Sequence, residues 1–137
     1  MNQDTICAIA TTQGGAIGCI RVSGPEAIEI TSRIFIPAAT NKKLENGKPY
    51  TLTFGRIYDG PEIIDEVLVS LFRAPHSYTG ENSTEITCHG SAYILQKVLQ
   101  LLIKSGCRMA APGEYTQRAF LNLSLIHISE PTRPISI

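Results

Sequence analysis

Residue types that could bind a metal or form a nucleophile pair stand together near the middle of the chain, where residues 77–90 read SYTGENSTEITCHG. Cys88 and His89 are adjacent there, at the end of a stretch with the composition of a strand. Adjacent side chains of a strand point to opposite faces, so the two cannot bind one ion or activate one another. His76 and His127 have no ligand-like spacing to this pair. We therefore expect no metal ligand and no catalytic residue here.

Two charged residues remain as candidates for binding a ligand. Glu85 should share a strand face with Thr87 and His89, opposite Ile86 and Cys88. It is either an exposed strand carboxylate or an acceptor for paired N–H donors of a ligand. Arg21 interrupts an apolar, β-rich run, and either points to solvent or binds a planar anionic or carbonyl group. The residues alone leave both alternatives open.

The glycines at 14, 15 and 18 do not have the context of a nucleotide-binding loop. The segment after them, residues 19–22, reads as strand rather than as the helix that a dinucleotide fingerprint requires. They are expected to form a tight turn and a close approach between backbones. No GxxxxGK[ST] motif occurs in the sequence, so hydrolysis of a nucleotide through a P-loop is not expected.

Length and composition indicate one domain without a strong electrostatic field, and its mixture of predicted strands and helices indicates the α+β class. The 137 residues include 12 basic and 12 acidic side chains, so any contact with RNA would be local or would involve another subunit. The four cysteines show no metal-binding spacing and are expected to be small buried thiols. No leader and no run of about 20 apolar residues is visible, which predicts a cytoplasmic protein without a membrane partner.

Hydrophobic periodicity predicts a largely antiparallel sheet with packed helices. A hairpin is expected at 5–22, then a helix opened by residues 23–25 with an apolar stripe of Ala27, Ile30, Ile34 and Phe35. Residues 50–54 alternate and should form a strand with one buried face. Residues 66–72 should form a central strand and 84–88 a short one. The remaining predicted elements are a polar loop at 37–49, a helix at 91–105, and a last helix that reaches Leu121.

Several motifs, taken in order, resemble the N-terminal domain of the tRNA-modifying GTPase family MnmE, also called TrmE, in the style of its Bacteroides members. They are Asp4–Ile6, Gly14–Gly24, Ser77–Asn82 with Glu85 and Cys88–Gly90, and Pro112–Asn122. The resemblance covers about nine-tenths of the chain. It implies a fold like the folate-binding domain of the glycine-cleavage aminomethyltransferase. It also implies a domain, residues 1–122, that binds 5-formyl- or methylene-tetrahydrofolate and forms a homodimer.

The resemblance further implies the role of the whole protein. With a flavin-containing partner of the MnmG type, the family adds a carboxymethylaminomethyl group to the wobble uridine of tRNAs. A G domain that uses GTP, Mg²⁺ and K⁺ drives its conformational cycle. The motifs carry two folate-contacting positions onto this chain, Arg21 and Glu85. The family's third contact, a lysine, corresponds to Ser124 here, so that lysine is missing from this chain.

After Asn122 the sequence departs from the family, and residues 123–137 resemble the translation of a sequencing adapter joined to a truncated gene. We expect this tail to be artefactual and this segment not to be catalytic alone. Two other interpretations stay open: an aminomethyltransferase-like folate enzyme, and a dimerisation or adaptor module without a ligand.

Overall fold

The residues that the structure describes form one seven-stranded sheet with helices packed against it. The computed structural model describes residues 4–11 and 15–129, with side chains as far as residue 122. The strands are β1 (Ile6–Ile9), β2 (Ile17–Ser23), β3 (Phe35–Pro37), β4 (Thr51–Asp59), β5 (Glu62–Phe72), β6 (Ser83–His89) and β7 (Arg108–Met109). The helices are α1 (Ala27–Ile34), α2 (Ala92–Lys104) and α3 (Glu114–Ser129), and a short 3₁₀ turn lies at Leu44–Asn46.

The strand order is β3-β4-β5-β6-β2-β1-β7, and every pair is antiparallel except β1 with β7. The predicted α+β class with a mostly antiparallel sheet is confirmed, as are the β1–β2 hairpin and the interior position of β5. Among the described residues, no helix is long and apolar enough to cross a membrane.

The core lies between one face of the sheet and the helices α1 and α2. Both helices bury a stripe at helical spacing, and Ser91 caps α2 by accepting a hydrogen bond from the Ile94 N–H at 3.4 Å. The strands contribute β-branched and leucine side chains such as Val69 and Ile86, both with 0% exposure. Phe35 is buried as expected, but it begins β3 instead of continuing α1.

The predicted strand in the alternating stretch 50–54 is confirmed from Thr51 onward, but its apolar side chains lie on the more exposed face. Leu52 and Phe54 of β4 are 67% and 50% exposed, and they point away from the helices. Alternation identifies residues that share a face, but it does not identify the face that the helices cover. We call the exposed sheet face that includes Leu52, Phe54 and Leu68 the open face.

The last helix is longer than predicted, because it continues through Ser129 instead of ending at Leu121. No glycine or proline interrupts the sequence between 114 and 129, and each added helical residue adds one backbone hydrogen bond.

Two backbone segments approach each other closely near the start of β2, and the approach depends on Gly90. A Cβ atom on Gly90 would lie 1.9 Å from the carbonyl oxygen of Gly15, which no real contact permits. The Gly90 N–H donates to the Ala16 carbonyl at 3.0 Å, so two chain segments are held backbone to backbone. The predicted close approach is therefore confirmed for Gly15, while Gly14 lies outside the described residues.

Candidate functional site

Arg21 and Glu85 lie directly opposite each other on neighbouring antiparallel strands, β2 and β6. The Arg21 Nε donates to Glu85 Oε2 at 3.0 Å, and each side chain is 28% exposed. The structure thus brings both sequence-predicted ligand residues together. Arg21 does not simply point to solvent, because it is half of a charge-assisted pair.

Two tyrosines flank the guanidinium of Arg21. Its Cζ lies 5.1 Å from the centre of the Tyr78 ring and 5.7 Å from that of Tyr115, both within the range of a cation–π contact. The Tyr115 hydroxyl donates to the Arg21 carbonyl at 2.5 Å, and the Tyr78 hydroxyl is 3.1 Å from Thr116 Oγ1. Burial raises the pKa of Tyr115, so its hydroxyl remains a donor.

Both tyrosines belong to motifs that carry the family resemblance, but no role was predicted for either of them. Tyr78 lies in the loop before β6, and Tyr115 lies in the first turn of α3. No periodicity relates a loop residue to a helix residue when two strands and another helix separate them. An Arg on an open strand face was nevertheless a reason to look for aromatic rings, since guanidinium groups stack on them.

Several bonding positions of the pair remain for a ligand. Within the described part of the chain, Arg21 uses only Nε in a side-chain hydrogen bond, and Glu85 uses only Oε2. The two terminal nitrogens of the guanidinium and Oε1 of the carboxylate are therefore left for other partners. A neighbouring pair of aromatic rings, a donor fork and an acceptor suit a planar, polar heteroaromatic molecule.

A partly buried ion network anchors the elements that carry the tyrosines. Arg118 of α3 is 7% exposed and donates to Asp4, to Glu81 of the loop before β6, and to Glu114. Arg108 of β7 bonds the same Asp4 and Glu114, with Nη2 to Glu114 Oε2 at 2.7 Å. The Arg108 hydrogen bond is the main cause that lowers the pKa of Glu114 to about 2.

Ser23, at the end of β2, joins this network to the strand that carries Arg21. Its hydroxyl donates to Glu81 Oε1 at 2.9 Å and lies 2.5 Å from Thr79 Oγ1. The Asn122 amide donates to the Thr79 carbonyl at 2.7 Å. The loop before β6 and helix α3 are thereby fixed to β2 with all three elements in contact.

Cys88 and His89 lie on opposite faces of β6, as predicted. Cys88 is 5% exposed, and burial is the largest cause that raises the pKa of its thiol to about 11. His89 faces solvent, with Nδ1 2.7 Å from Asp65 Oδ1. A protonated buried thiol turned away from the imidazole cannot act with it as a nucleophile pair. Cys7, Cys19 and Cys107 are also free thiols, with Cys19 only half-buried.

The position that corresponds to the family's lysine, Ser124, lies on the described backbone of α3 but outside the described side chains. The structure therefore gives no contact for it.

The open face next to the pair carries an apolar patch on β4 and β5. Strand register places Arg21, Glu85, Ser70 and Leu52 in one row across β2, β6, β5 and β4. The adjacent row holds Cys19, Thr87, Leu68 and Phe54. The candidate site therefore lies between an exposed apolar patch and the loop and helix that carry the tyrosines.

Comparison with known proteins matches residues 5–123 to the family model described as GTP-binding protein TrmE N-terminus. The chain is 84% identical to the tRNA modification GTPase MnmE of Bacteroides thetaiotaomicron over 122 residues, which cover 89% of this chain and 26% of that protein. Identity to the protein of the same name from Porphyromonas gingivalis is 48%, over 88% of this chain and 26% of the relative. The chain thus spans about a quarter of the length of these relatives, at 26%. With most of its length matched by the model and by close relatives, the chain belongs to the TrmE N-terminal domain family.

Proposed function

We propose that this chain is the tetrahydrofolate-binding segment of a tRNA-modifying GTPase, and that it binds 5-formyl- or methylene-tetrahydrofolate at Arg21 and Glu85. The observation that carries the proposal is the Arg21–Glu85 pair at 3.0 Å with two tyrosine rings beside the guanidinium. Charge, hydrogen-bonding capacity and flat apolar surface occur together at this point. These are the three properties that a reduced pterin with a glutamate tail requires.

Glu85 is the acceptor in this proposal. A pterin presents a 2-amino group beside a ring N–H, and a carboxylate can accept both in a charge-assisted pair of hydrogen bonds. Its Oε1 has no hydrogen bond in the described part of the chain, and β6 holds the residue on a rigid element. The Arg21 bond to Oε2 orients the carboxylate before the ligand arrives, which reduces the ordering that binding requires.

Arg21 and the tyrosines complete the site. The terminal nitrogens of Arg21 suit a carbonyl or the carboxylates of a glutamate tail. The rings of Tyr78 and Tyr115 offer surfaces on which an aromatic ligand ring can stack. When bound, tetrahydrofolate would supply the one-carbon unit, while the residues of this chain bind and orient it.

For the whole protein, we propose the activity that the relatives' name indicates, modification of tRNA by a GTPase, in the cytoplasm. The specific reaction would be addition of a carboxymethylaminomethyl group to the wobble uridine, together with an MnmG-type flavoprotein. GTP, Mg²⁺ and K⁺ would bind to a G domain outside this chain. The support is the 84% identity to a tRNA modification GTPase, of which the chain covers 26%.

We also propose that a second copy of the chain covers the open face. Leu52, Phe54 and Leu68 form a cross-strand apolar patch that α1 and α2 leave uncovered, and Ile17 and Ile36 are exposed too. A two-fold interface uses the same surface on both copies, and an apolar patch is complementary to itself. Such an interface would lie next to the Arg21–Glu85 row.

Residues 1–122 would be the family domain, and residues 123–137 an artefactual extension. The family match that ends at residue 123 supports this division. Amplifying the locus from genomic DNA and sequencing across codon 122 tests it, because recovery of the same downstream codons would contradict an artefact.

Calorimetric titration with 5-formyl-tetrahydrofolate tests the binding site. Glu85→Gln should weaken binding by roughly tenfold or more, because the amide cannot accept both N–H groups. Glu66→Gln is a matched control, since Glu66 is an exposed carboxylate on the neighbouring strand that pairs with Arg56. Equal affinity of all three proteins would remove Glu85 from the site, and absence of binding to the unmodified chain would favour a ligand-free dimerisation module.

An aminomethyltransferase-like enzyme would need a proton donor, and Glu114, with a pKa of about 2, is unsuited to that role.

A further inference from the structure

The loop between β3 and β4 forms a basic groove along an unpaired stretch of strand edge. Strand β3 pairs with β4 only at Gly55–Ile57, so the Thr51–Thr53 stretch has no described strand on that side. Between this edge and the loop lies a groove of about 420 Å³, lined by Lys42, Lys43 and Lys48. The net charge of the chain is zero, so three cations in one groove are a local concentration.

The loop that carries these lysines is fixed rather than merely exposed. Leu44 is 3% exposed and belongs to the core. Arg73 donates from Nη2 to the Glu45 carbonyl at 2.8 Å and to the Gly47 carbonyl at 3.0 Å. The buried Leu44 side chain and the Arg73 guanidinium therefore hold the 3₁₀ turn and the residue that follows it.

The lysine charges are not neutralised by neighbours. Within the residues that the structure describes, none of the three lysines forms an ion pair. Glu45, the acidic residue of the loop, lines a separate cavity that also contains Arg33 and Arg73. The groove thus presents ammonium groups together with the amide of Asn46.

Tyr50 lies in the chain between Lys48 and Thr51, which both line the groove, and its ring is exposed. It is 65% exposed and has φ of 62°, the only positive φ of a non-glycine residue in the described part of the chain. Its N–H donates to the Leu71 carbonyl at 2.8 Å, and its ring contacts Phe72 edge-on with centroids 6.0 Å apart. A bulky residue held in this conformation costs free energy that its surroundings must offset.

We propose that this groove binds a single-stranded RNA segment, with phosphates at Lys42, Lys43 and Lys48 and one base stacked on Tyr50. Cations along a groove and an exposed aromatic ring beside them are the two components by which proteins bind single strands. The alternative role of the lysines is to protect an unpaired edge from other strands, but that role does not require an exposed ring. The choice of RNA as the ligand rests on the proposed function in tRNA modification. The presence of the groove and of its three lysines does not depend on that function.

Fluorescence anisotropy with a labelled 12-nucleotide oligouridylate and the 137-residue chain tests the proposal. The double variant Lys42→Gln/Lys43→Gln should bind roughly tenfold more weakly, and the slope of log K against log salt should fall by about 1.4, since each phosphate contact on a single strand contributes about 0.7. The control Lys97→Gln/Lys104→Gln removes the same charge from α2 and should leave the affinity unchanged. An equal loss in both variants, or no binding by the unmodified chain, would overturn the proposal.

Two variants at Tyr50 separate stacking from charge. Tyr50→Gly removes the ring at a position whose φ glycine tolerates, so the chain should stay folded while affinity falls about fivefold or more. Tyr50→Phe should keep the affinity. If polyglutamate displaces the labelled oligonucleotide as well as unlabelled RNA does, the groove binds anions by charge alone, and the proposal is overturned. Titration of the lysine variant with 5-formyl-tetrahydrofolate distinguishes the RNA groove from the proposed folate site. A variant that loses RNA binding but retains folate binding is altered in the groove only.

Discussion

The Nε of Arg21 and the Oε2 of Glu85 are 3.0 Å apart across two strands whose register places the residues directly opposite each other. Both side chains are 28% exposed, so solvent screens the attraction and the pair contributes little to folding. A pair that is geometrically well ordered but weakly stabilising is suited to exchange some of its bonds with a ligand.

Removing this pair should therefore affect binding much more than folding. In the double variant Arg21→Gln/Glu85→Gln, we expect the free energy of unfolding in urea to change by about 1 kcal/mol or less. Affinity for 5-formyl-tetrahydrofolate should fall by at least tenfold in calorimetry. A large loss of stability with unchanged affinity would show that the pair is structural.

Arg118 should behave in the opposite way, because it is buried among carboxylates. Arg118→Met should lower the free energy of unfolding by about 3–5 kcal/mol, since Glu81 and Glu114 would lose a buried partner. Urea denaturation followed by circular dichroism measures it. Arg56→Met is the control, because Arg56 forms an exposed pair with Glu66 and its loss should leave the midpoint unchanged. Equal midpoints for the two variants would contradict a stabilising network.

Because the pKa of Glu114 is low in the folded chain, the free energy of unfolding depends on pH. Its pKa is lowered from 4.5 to about 2 in the folded chain, so the folded state favours the ionised form. The contribution is present in full above about pH 4.5 and is lost as the pH falls toward 2. We expect it to be on the order of 1–3 kcal/mol. Urea midpoints at pH 6 and pH 3 should differ less in Glu114→Gln than in the unmodified chain, and an unchanged difference would exclude Glu114 as the cause.

Gly90 and Gly15 form one backbone contact, but alanine should destabilise the chain much more at position 90 than at position 15. Gly90→Ala would place Cβ 1.9 Å from the Gly15 oxygen, so the segments must separate, at a cost of about 1–3 kcal/mol. Gly15→Ala would meet only an ordinary contact at 3.6 Å from the Ile17 oxygen and should cost much less. Thermal denaturation of both variants distinguishes these outcomes, and similar melting temperatures would rule out the backbone contact as the constraint.

A charge in the open face should prevent self-association if a second copy covers it. Leu68→Asp introduces a carboxylate into the centre of the cross-strand patch, where Leu68 is 39% exposed. Sedimentation velocity should then report a monomer where the unmodified chain forms a dimer. Phe120→Asp is the control, because Phe120 is a 72% exposed apolar residue on α3, outside the patch. Dissociation by both variants, or by neither, would contradict the proposed surface.

Much of this architecture could be predicted from residue pattern, because local spacing encodes it. The stripe of α2, its Ser91 cap and the opposite faces of Cys88 and His89 all depend on residues a few positions apart. The outward orientation of Leu52 could not be predicted, since it depends on which face of the sheet the helices cover. For the same reason, two residues 64 positions apart could be chosen as site residues without the pairing between them being visible.

Long separation has a further consequence for the order in which the chain can fold during synthesis. Asp4 bonds Arg108 and Arg118, which lie 104 and 114 residues later, and β1 pairs with β7 in parallel. The first strand to leave the ribosome therefore waits for nearly the whole described chain before its outer edge is paired. A ribosome that stalls before residue 108 would hold a nascent chain whose β1 edge is still open, and an open edge is a site at which other chains can pair.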